Sequence, residues 1–534
     1  MPEPGGRLTI PTLLRQRAAE DADARFLVTD DDHLTYGQLD AQTRRVASTL
    51  LRSGVGKGAR VGLLMPNGID WAVLALGVMR AGAVLVPLST FLRPPELHAQ
   101  LVAAGIEHLV LAPTFRDRDY VADLCEVVPG VAVGASDQHL VEVPRLRSVS
   151  LGADLAGAAR ADGATTDDRD GARADALDAA VRPADDMVVI LTSGSRGAPK
   201  GVIHTHGGAL GAVAASLGPR CLGRDDRMYI PMPFFWMGGF GGGLLSVLVA
   251  GATLITEAEP EPTRTLALLE RERVTLFRGW PDQAAALAAH PAFASADLGA
   301  LKAGSLDAVL PPGLRRATGV RSNLFGMTES FGPYCADPLD TDLPEGKWGS
   351  CGRPFTGTEV RIVDVDSGAP LPAGVTGEIQ LRGPNLMRGI GGRRRAEVFT
   401  ADGFYPTGDL GRLDADGYLF FVGRRDDMVK VKGTTVYPSE VEAALVTVPG
   451  VQRALVVDVD AGGRTELGAA VVLAGGVALT AADLARETRA RLSAFKVPSR
   501  WVVVDAADVP MTATGKVDKA ALQALLGAGS NVDS

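Results

Sequence analysis

The segment Leu191-Thr-Ser-Gly-Ser-Arg-Gly-Ala-Pro-Lys-Gly201 has the residue types that bind a polyphosphate. Hydroxyl side chains and glycines in one tight loop present side-chain and backbone donors together, and Lys200 adds a positive charge. A flexible Ser/Gly turn is the structural alternative, but this ordered string is rare by chance. No Gly-Lys pair in the loop is followed by Ser or Thr, so it is not a Walker A sequence, and a P-loop kinase or ATPase is disfavoured.

Alternating helix and strand patterns predict how this loop is positioned. Helical spacing of apolar residues indicates helices over 39–51 and 71–79, and short apolar runs indicate buried strands over 60–65 and 83–87. Alternation of this kind predicts a mostly parallel sheet with helices on its faces. Residues 151–185 are rich in Ala, Asp, Gly and Arg, and we predict a surface linker with some helix there.

The sequence pattern changes after about Arg361. Short strands with Gly and Asp turns follow, and Asp416-Gly417 is a hairpin signal between two of them. From about residue 428 a smaller unit begins, of the size of a small α/β domain. We therefore predict an α/β protein. Its large N-terminal domain, residues 1–425, has several subdomains with mostly parallel sheets flanked by helices, and its small α/β C-terminal domain covers residues 426–534.

Composition excludes several classes of protein. The chain has 534 residues, 46% of them apolar, which predicts a soluble globular protein of two or more domains. The net charge of -9 argues against nucleic-acid binding, which needs a basic face. Four scattered cysteines without a CxxC pair predict reduced thiols and a cytoplasmic location. The stretch Met228–Thr256 has no charged residue, but its prolines and glycines favour a buried strand, loop, helix and strand over a membrane span.

Further motifs follow the loop at 191–201 in a fixed order, and they include Phe325-Gly-Met-Thr-Glu329, Tyr405-Pro-Thr-Gly-Asp-Leu-Gly411, Gly423-Arg-Arg-Asp-Asp-Met-Val-Lys-Val-Lys-Gly433 and Pro510-Met-Thr-Ala-Thr-Gly-Lys516. With them the chain resembles the adenylate-forming superfamily, which includes acyl- and aryl-CoA synthetases, nonribosomal adenylation domains and firefly-type luciferases. It looks closest to bacterial acyl-CoA synthetases. The resemblance covers nearly the whole chain and implies a ligase that forms acyl-AMP and pyrophosphate from a carboxylic acid and ATP, and then passes the acyl group to coenzyme A.

The resemblance implies a nucleotide site formed by Thr192, Ser193, Gly194, Ser195, Arg196, Gly197, Lys200, Phe325, Gly326, Thr328, Asp409 and Arg424. Within it Phe325 stacks on adenine, with ordinary core packing as the alternative, and Asp409 accepts from the ribose hydroxyls. Thr328 holds the α-phosphate, and Glu329 binds Mg²⁺, a hard cation that prefers oxygen ligands. Lys516 is implied to act in catalysis beside Thr328 and Glu329, because a cation there stabilises the pentavalent phosphorus centre.

The same resemblance implies a mobile small domain. Asp426 matches the hinge position, and a single residue that absorbs a large φ/ψ change is a known hinge device. After rotation of the small domain, Lys432 and Gly433 are implied to face the acyl site beside the thiol channel.

The acyl pocket is predicted to be lined by Trp236, Phe240, Trp280 and Gly304. Trp236 stands where many family members have His, and the glycines at 238–243 are predicted to leave room nearby. Amino-acid-activating members usually place an Asp in the segment that is Phe234–Met237 here, to pair with the substrate ammonium. Because a buried unpaired ammonium is costly, we expect an apolar acid without an α-amine.

Two observations near the loop have alternative interpretations. Arg196 stands where Thr is commonest in the family. Its guanidinium either binds the ATP phosphates or lies in solvent. His204 and His206 follow the loop, and we favour local packing or support of the loop over metal binding.

Two further functions remain open beside the acid–CoA ligase. One is a stand-alone adenylating enzyme that loads an acyl carrier protein or another nucleophile, which the sequence does not separate from a CoA ligase. The other is a non-catalytic relative that binds nucleotide or acyl ligand, motivated by Arg196 and Trp236. The presence of Glu329, Asp409 and Lys516 argues against it.

Overall fold

The structure is a computed structural model that describes residues 8–161, 175–193, 199–425, 429–431, 434–436, 438–460, 465–492, 496–512 and 517–527. The chain divides into two compact units: Met1–Val360 with Leu381–Tyr405, and Arg361–Gln380 with Pro406–Ser534. The second unit thus begins ahead of the predicted boundary at 425/426. The hinge at Asp426 lies outside the described residues and stays a prediction.

The larger sheet of the first unit has seven strands, which lie in the order Gly389–Ile390, Pro199–Thr205, Asp186–Ser193, Val84–Pro87, Arg60–Leu64, His108–Leu111 and Ser148–Leu151. The five strands from Asp186–Ser193 onwards are parallel, and the other two are antiparallel to their neighbours. This sheet confirms the predicted α/β class.

A second sheet of the first unit has five strands, in the order Leu276–Phe277, Arg227–Tyr229, Thr253–Ile255, Arg25–Val28 and His33–Thr35. The first four are parallel, and only His33–Thr35 runs antiparallel. The parallel strands are almost entirely buried, which is typical of parallel sheets covered on both faces.

Helices flank these sheets at Ile10–Glu20, Tyr36–Arg52, Ile69–Arg80, Pro94–Ala104, Tyr120–Val127, Gly152–Arg160, 175–180, His206–Leu217, Met237–Gly239, Ser246–Ala250, Pro262–Arg271 and Pro281–Ala288, with a π-helix at Phe240–Leu245. The predicted helices and strands before residue 90 are confirmed with small shifts of their ends. The helix Tyr36–Arg52 is capped at its N-terminus by Thr35, whose hydroxyl accepts a hydrogen bond from Gln38 N at 3.2 Å in a capping box. Ile69–Arg80 is buried nearly throughout, including Trp71.

The predicted surface linker with some helix over 151–185 is confirmed in its helices, Gly152–Arg160 and 175–180, but parts of it are packed into the fold and are not at the surface. The helix Gly152–Arg160 packs against Tyr36–Arg52 and Ile69–Arg80. Asp178 is 2% exposed and accepts from the fully buried Arg80 at 2.8 and 2.9 Å. Small side chains let this helix approach closely, since a Cβ at Gly152 would lie 2.4 Å from a neighbouring methionine sulfur. Small residues therefore allow close packing here, whereas the sequence pattern alone predicts exposure.

The uncharged stretch Met228–Thr256 has the predicted strand, loop, helix and strand arrangement. Its two strands belong to the five-stranded sheet. The helical turns that lie between these strands in sequence are largely buried. Within the described ranges, no helix has the length and apolar character needed to cross a membrane.

Most of a four-stranded sheet belongs to the second unit, with strands Glu359–Val363, Gly377–Arg382, Tyr405–Leu413 and Leu419–Arg424. The last two pair as an antiparallel hairpin, and Gly417 takes a φ of +80° in its turn, so the Asp-Gly signal is confirmed. The remainder is a small α/β unit with strands Val429–Val431, Thr434–Val436, Val451–Asp460, Thr465–Leu473 and Arg500–Val503, and helices Pro438–Val446, Ala481–Arg489 and Lys519–Gly527.

Candidate nucleotide and acyl site

The predicted phosphate loop joins two antiparallel strands of the seven-stranded sheet. Thr192 lies opposite Lys200 in this pair, and its hydroxyl donates to the Lys200 carbonyl at 3.4 Å. Both residues are half-buried at the base of the loop. Predicted phosphate ligands Gly194, Ser195, Arg196 and Gly197 lie outside the described residues, and their roles, with that of Ser193, stay predictions.

Lys200 meets Glu329 at the base of this loop. Its Nζ lies 2.6 Å from Glu329 Oε1, and the Tyr405 hydroxyl donates to the same oxygen at 3.1 Å. The structure thus brings together two residues that were predicted separately, one from the loop and one from the Phe325–Glu329 motif. Tyr405 was not predicted as a site residue, although it opens the Tyr-Pro-Thr-Gly-Asp motif that was noticed.

The protonation state of Glu329 follows from these contacts. Burial alone would raise its pKa, but the Lys200 charge and hydrogen bond, with the bond from Tyr405, outweigh burial and hold the pKa below its usual range. Glu329 is only 8% exposed and is therefore an ionised carboxylate in a largely desolvated position at neutral pH.

A short hairpin, Phe325–Met327 with Gly332–Cys335, carries the residues around Glu329. Gly326 is required in it, because a Cβ would lie 2.2 Å from the Gly332 carbonyl oxygen. The half-buried Phe325 ring packs edge-on against Tyr334, with centroids 5.5 Å apart. This contact fits the alternative of core packing, and its partial exposure leaves room for adenine stacking, which stays a prediction.

His204 holds Thr328 in place. The ring is fully buried, and its Nε2 lies 2.8 Å from the Thr328 carbonyl oxygen, so this nitrogen carries the proton and donates. Phe331 packs on the ring with centroids 4.9 Å apart. No group of three or more potential metal ligands occurs among the residues that the structure covers. These contacts support the preferred interpretation of His204 as support for the site.

Buried His204 and His206 should make the folded protein sensitive to acid. Burial lowers the pKa of each to about 4, against the opposing effects of the Thr328 hydrogen bond and of Glu329 on the first and of Asp185 on the second. The unfolded chain takes up these protons near pH 6.5, so between pH 6.5 and 4 it binds more protons than the folded chain, and stability falls as the pH is lowered. At pH 5 we expect a loss of about 2 kcal/mol for each histidine.

Thermal midpoints at pH 7 and pH 5 test this expectation. The midpoint of the double variant His204→Gln/His206→Gln should fall less between the two pH values than that of the wild type. The exposed His33→Gln is the matched control and should behave as the wild type. An equal fall in all three proteins would contradict the assignment.

In the second unit, Asp409 and Arg424 face each other across the hairpin. Arg424 Nη1 donates to Asp409 Oδ1 at 2.6 Å and to the Thr407 carbonyl at 3.2 Å. Asp409 is 6% exposed, and its backbone N–H donates to the Thr407 hydroxyl at 3.0 Å. Gly408 takes a φ of +73°, which lets the chain turn beside the guanidinium. The two predicted ribose and phosphate ligands are therefore held as an ion pair, and their contacts with nucleotide stay predictions.

Two of the predicted pocket residues, Trp236 and Trp280, belong to an aromatic cluster that also includes Phe91 and Phe235. Trp236 packs edge-on against Trp280 at 5.6 Å and lies 5.8 Å from Phe91 and 5.3 Å from Phe235, measured between ring centroids. Phe91 is 40% exposed and Trp280 36% exposed, so the cluster presents aromatic surface. Phe91 was not predicted, because only the fold brings it next to Trp236.

Phe240 and its neighbouring glycines pack differently from the prediction. Phe240 is fully buried and contacts Trp71 and Phe331, with ring centroids 5.9 and 6.1 Å away. A Cβ at Gly238 would lie 2.4 Å from Met232 Sδ, and one at Gly239 would lie 2.2 Å from the Pro233 carbonyl oxygen.

The glycines therefore let the helical turns pack against the preceding segment, and the space that we predicted for a ligand is occupied there. The fourth predicted pocket residue, Gly304, is buried with a φ of +95°. Whether Phe240 and Gly304 contact the acyl group stays a prediction.

Proteins of known families are similar in sequence to this chain over most of its length. Residues 14–390 match the family model described as AMP-binding enzyme, and residues 440–516 match that of the AMP-binding enzyme C-terminal domain. A feruloyl-CoA synthase of Amycolatopsis sp is 33% identical over 498 residues, which cover 91% of this chain and 92% of that protein. The 3-[(3aS,4S,7aS)-7a-methyl-1,5-dioxo-octahydro-1H-inden-4-yl]propanoyl:CoA ligase of Mycobacterium tuberculosis is 33% identical over 536 residues, covering 97% and 99%.

Among solved structures, ATP-bound MatB from Rhodopseudomonas palustris superimposes with a TM-score of 0.78 at 25% identity, and the match covers 97% of this chain and 99% of that one.

Proposed function

The chain belongs to the family of AMP-binding enzymes, and with that membership as the premise we propose that it activates an apolar carboxylic acid as acyl-AMP and transfers the acyl group to CoA. It is an ATP-dependent ligase of the AMP-forming type, as are the CoA ligases with which it shares a third of its residues. The observation that carries the assignment of chemistry is the buried carboxylate of Glu329, kept ionised by Lys200 at the base of the phosphate loop.

In the first half-reaction a carboxylate oxygen of the acid attacks the α-phosphorus of ATP, and pyrophosphate leaves with the bonding electrons. Lys200 would neutralise phosphate charge, and Thr328, whose backbone carbonyl His204 binds, would hold the α-phosphate. Lys516 would stabilise the charge that develops on the pentavalent centre. These roles, with adenine stacking by Phe325, are part of the proposal.

Glu329 also fits a magnesium site. Its carboxylate is ionised, largely desolvated and oriented by two donors, and Mg²⁺ is bound in proteins through one or two carboxylates together with substrate phosphates. Bound there, Mg²⁺ would offset the negative charge of the triphosphate. Tyr405 would keep the carboxylate oriented when Lys200 moves toward the phosphates.

In the second half-reaction the CoA thiolate attacks the acyl carbonyl carbon, and AMP leaves. We assign the change between the two steps to rotation of the C-terminal domain about Asp426, which would bring Lys432 and Gly433 to the acyl site. An acyl carrier protein is the alternative acceptor, because its thiol supports the same chemistry.

Pyrophosphate release over a panel of carboxylic acids, with and without CoA, tests the proposed function. We expect AMP and pyrophosphate in equal amounts and acyl-CoA only when CoA is present. Formation of ADP and phosphate would refute the reaction. Adenylation without any acyl transfer to CoA would favour the carrier protein as acceptor.

The segment before the helix at Met237 should reject amino acids. It offers aromatic rings and no carboxylate to pair with an ammonium group, and burial of an unpaired ammonium costs a few kcal/mol at least. We therefore expect 3-phenylpropanoic acid to be activated about a hundredfold more efficiently than phenylalanine, a difference of about 3 kcal/mol. Acid-dependent pyrophosphate exchange measures this ratio. A higher kcat/KM for phenylalanine would contradict the prediction.

A further inference from the structure

Arg220, which is buried, and Arg278, which is half-buried, are in contact within the first unit. Arg220 is 5% exposed, and its guanidinium donates to Ser246 Oγ and to the Gly242 carbonyl, both at 2.6 Å. Arg278 Nη2 in turn donates to the backbone carbonyl of Arg220 at 2.5 Å. Neither side chain had a role in the sequence-based prediction.

The contacts of Arg220 explain its presence structurally. Gly242 lies in the π-helix Phe240–Leu245, whose wide turns leave carbonyl groups to be satisfied by other donors. Ser246 receives the Arg220 bond and donates to the Gly241 carbonyl at 2.7 Å. Arg220 therefore stabilises the helix that begins next to Trp236.

The contacts of Arg278 within the protein do not explain why an arginine occupies this position. Its Nε is buried and has no hydrogen-bond partner among the described residues, and none of their carboxylates is within ion-pair distance. Cys221 and then Asp226 act on it electrostatically, but the Asp226 carboxylate is already engaged by Lys302 at 2.7 Å and by the Thr275 hydroxyl at 2.7 Å. Burial lowers the pKa of Arg278 to about 10, so the guanidinium remains a cation at neutral pH.

The position of Arg278 relates it to the predicted acyl pocket. It directly follows the parallel strand Leu276–Phe277, and the carboxyl ends of parallel strands are where α/β proteins bind ligands. Trp280 of the aromatic cluster is two residues further on. A Cβ added to the predicted pocket residue Gly304 would lie 3.5 Å from Arg278 Nη2. The guanidinium thus borders the same region as two of the residues predicted to contact the acid.

We propose that Arg278 is a specificity residue that binds a second oxygen acceptor of the acid, in addition to the carboxyl group that is activated. The inference rests on the proposed ligase function and refines its substrate class to an otherwise apolar acid with a ketone or a second carboxylate. Arg278 is a half-buried cation with no carboxylate partner among the described residues, and an oxygen of the ligand beside the guanidinium would accept a hydrogen bond from it. A carboxylate would also pair with the charge, whereas a ketone would accept a hydrogen bond alone.

The test compares three acids of equal chain length: octanoic acid, 7-oxooctanoic acid, which carries a ketone, and suberic acid, which carries a second carboxylate. Pyrophosphate release gives kcat and KM for each with the wild type and with Arg278→Leu. For the wild type we expect kcat/KM to be at least tenfold higher for one of the two oxygen-bearing acids than for octanoic acid, mainly through KM. Which of the two is favoured distinguishes recognition of a ketone from recognition of a carboxylate.

Arg278→Leu should reverse this preference while octanoic acid is still activated. Arg278→Lys, which keeps the charge, should retain part of the preference for suberic acid only, and it serves if the leucine variant does not fold. Arg271→Leu, on an exposed arginine of a neighbouring helix, is the matched control and should leave all ratios unchanged.

Two results would overturn the inference. A wild type that prefers octanoic acid, with ratios unaffected by Arg278→Leu, would assign Arg278 a structural role and leave the ligase function intact. Absence of acid-dependent pyrophosphate release with every acid of the wider panel would refute the proposed function itself, and the inference with it.

Discussion

Lys516→Ala is expected to lower the rate of acyl-AMP formation by about 10²–10³-fold, the usual cost of removing one group that stabilises transition-state charge. The residue lies outside the described ranges, and the expectation rests on the Pro510–Lys516 motif and on a C-terminal domain match that extends to residue 516. If Lys516 acts only on the phosphorus centre, thioester formation from supplied acyl-AMP should be nearly unchanged. Single-turnover measurements of pyrophosphate release and of acyl-CoA formation separate the two steps.

Asp426→Pro provides the complementary variant. Proline fixes φ near −65° and should restrict a hinge, so acyl-AMP should still form while its transfer to CoA slows. Opposite effects of the two variants would support a C-terminal domain that rotates between acyl-AMP formation and transfer of the acyl group to CoA. Equal loss of both steps in both variants would show that the rotating-domain account is wrong for this chain.

Glu329→Gln is expected to reduce kcat/KM for ATP by about 10²–10³-fold, since it removes the proposed magnesium ligand and the partner of Lys200 together. The substitution keeps the size of the side chain and an acceptor for the Tyr405 hydroxyl, so folding should be affected little. Tyr405→Phe should cost less, about tenfold to a hundredfold, because it removes one hydrogen bond to a charged group, worth about 1.5–3 kcal/mol.

Titration of activity with Mg²⁺ at fixed ATP distinguishes the two variants. The glutamine variant should need a much higher magnesium concentration, and the phenylalanine variant only a modestly higher one. Glu397→Gln, on an exposed carboxylate, is the control and should match the wild type. A glutamine variant with wild-type magnesium dependence would exclude Glu329 as the metal ligand.

Local patterns predicted much of the fold because they depend on neighbours in sequence. The helix Ile69–Arg80 and the strand Arg60–Leu64 follow from apolar spacing, and the Asp416-Gly417 turn follows from the residue types that a tight hairpin requires. The surface placement of the linker could not be predicted, because small residues are compatible both with exposure to solvent and with close packing. Whether such a residue is exposed or packed depends on the residues that the fold brings next to it, as at Gly152, where an added Cβ would clash with a methionine sulfur.

The candidate site shows the same division. Lys200 and Glu329 were predicted from their motifs, but their 2.6 Å ion pair depends on two segments that are distant in sequence. Phe91 and Trp236 are 145 positions apart in sequence and meet only in the folded chain, and no local pattern marks that contact. The unsatisfied Nε of Arg278 is likewise a property of its surroundings, since the same residue type on the surface would be hydrated.

The phosphate loop connects two antiparallel strands, and this connectivity has a consequence for how nucleotide is bound. In a Walker-type site the loop leads into a helix, whose N-terminal dipole attracts phosphate. Here the loop leads into the strand Pro199–Thr205, and the helix His206–Leu217 begins only after it, at the opposite end from the loop. Compensation of phosphate charge is therefore left to the donors of the loop, to Lys200 and to bound cations, without the dipole of a helix, and we expect nucleotide affinity to fall steeply as ionic strength rises.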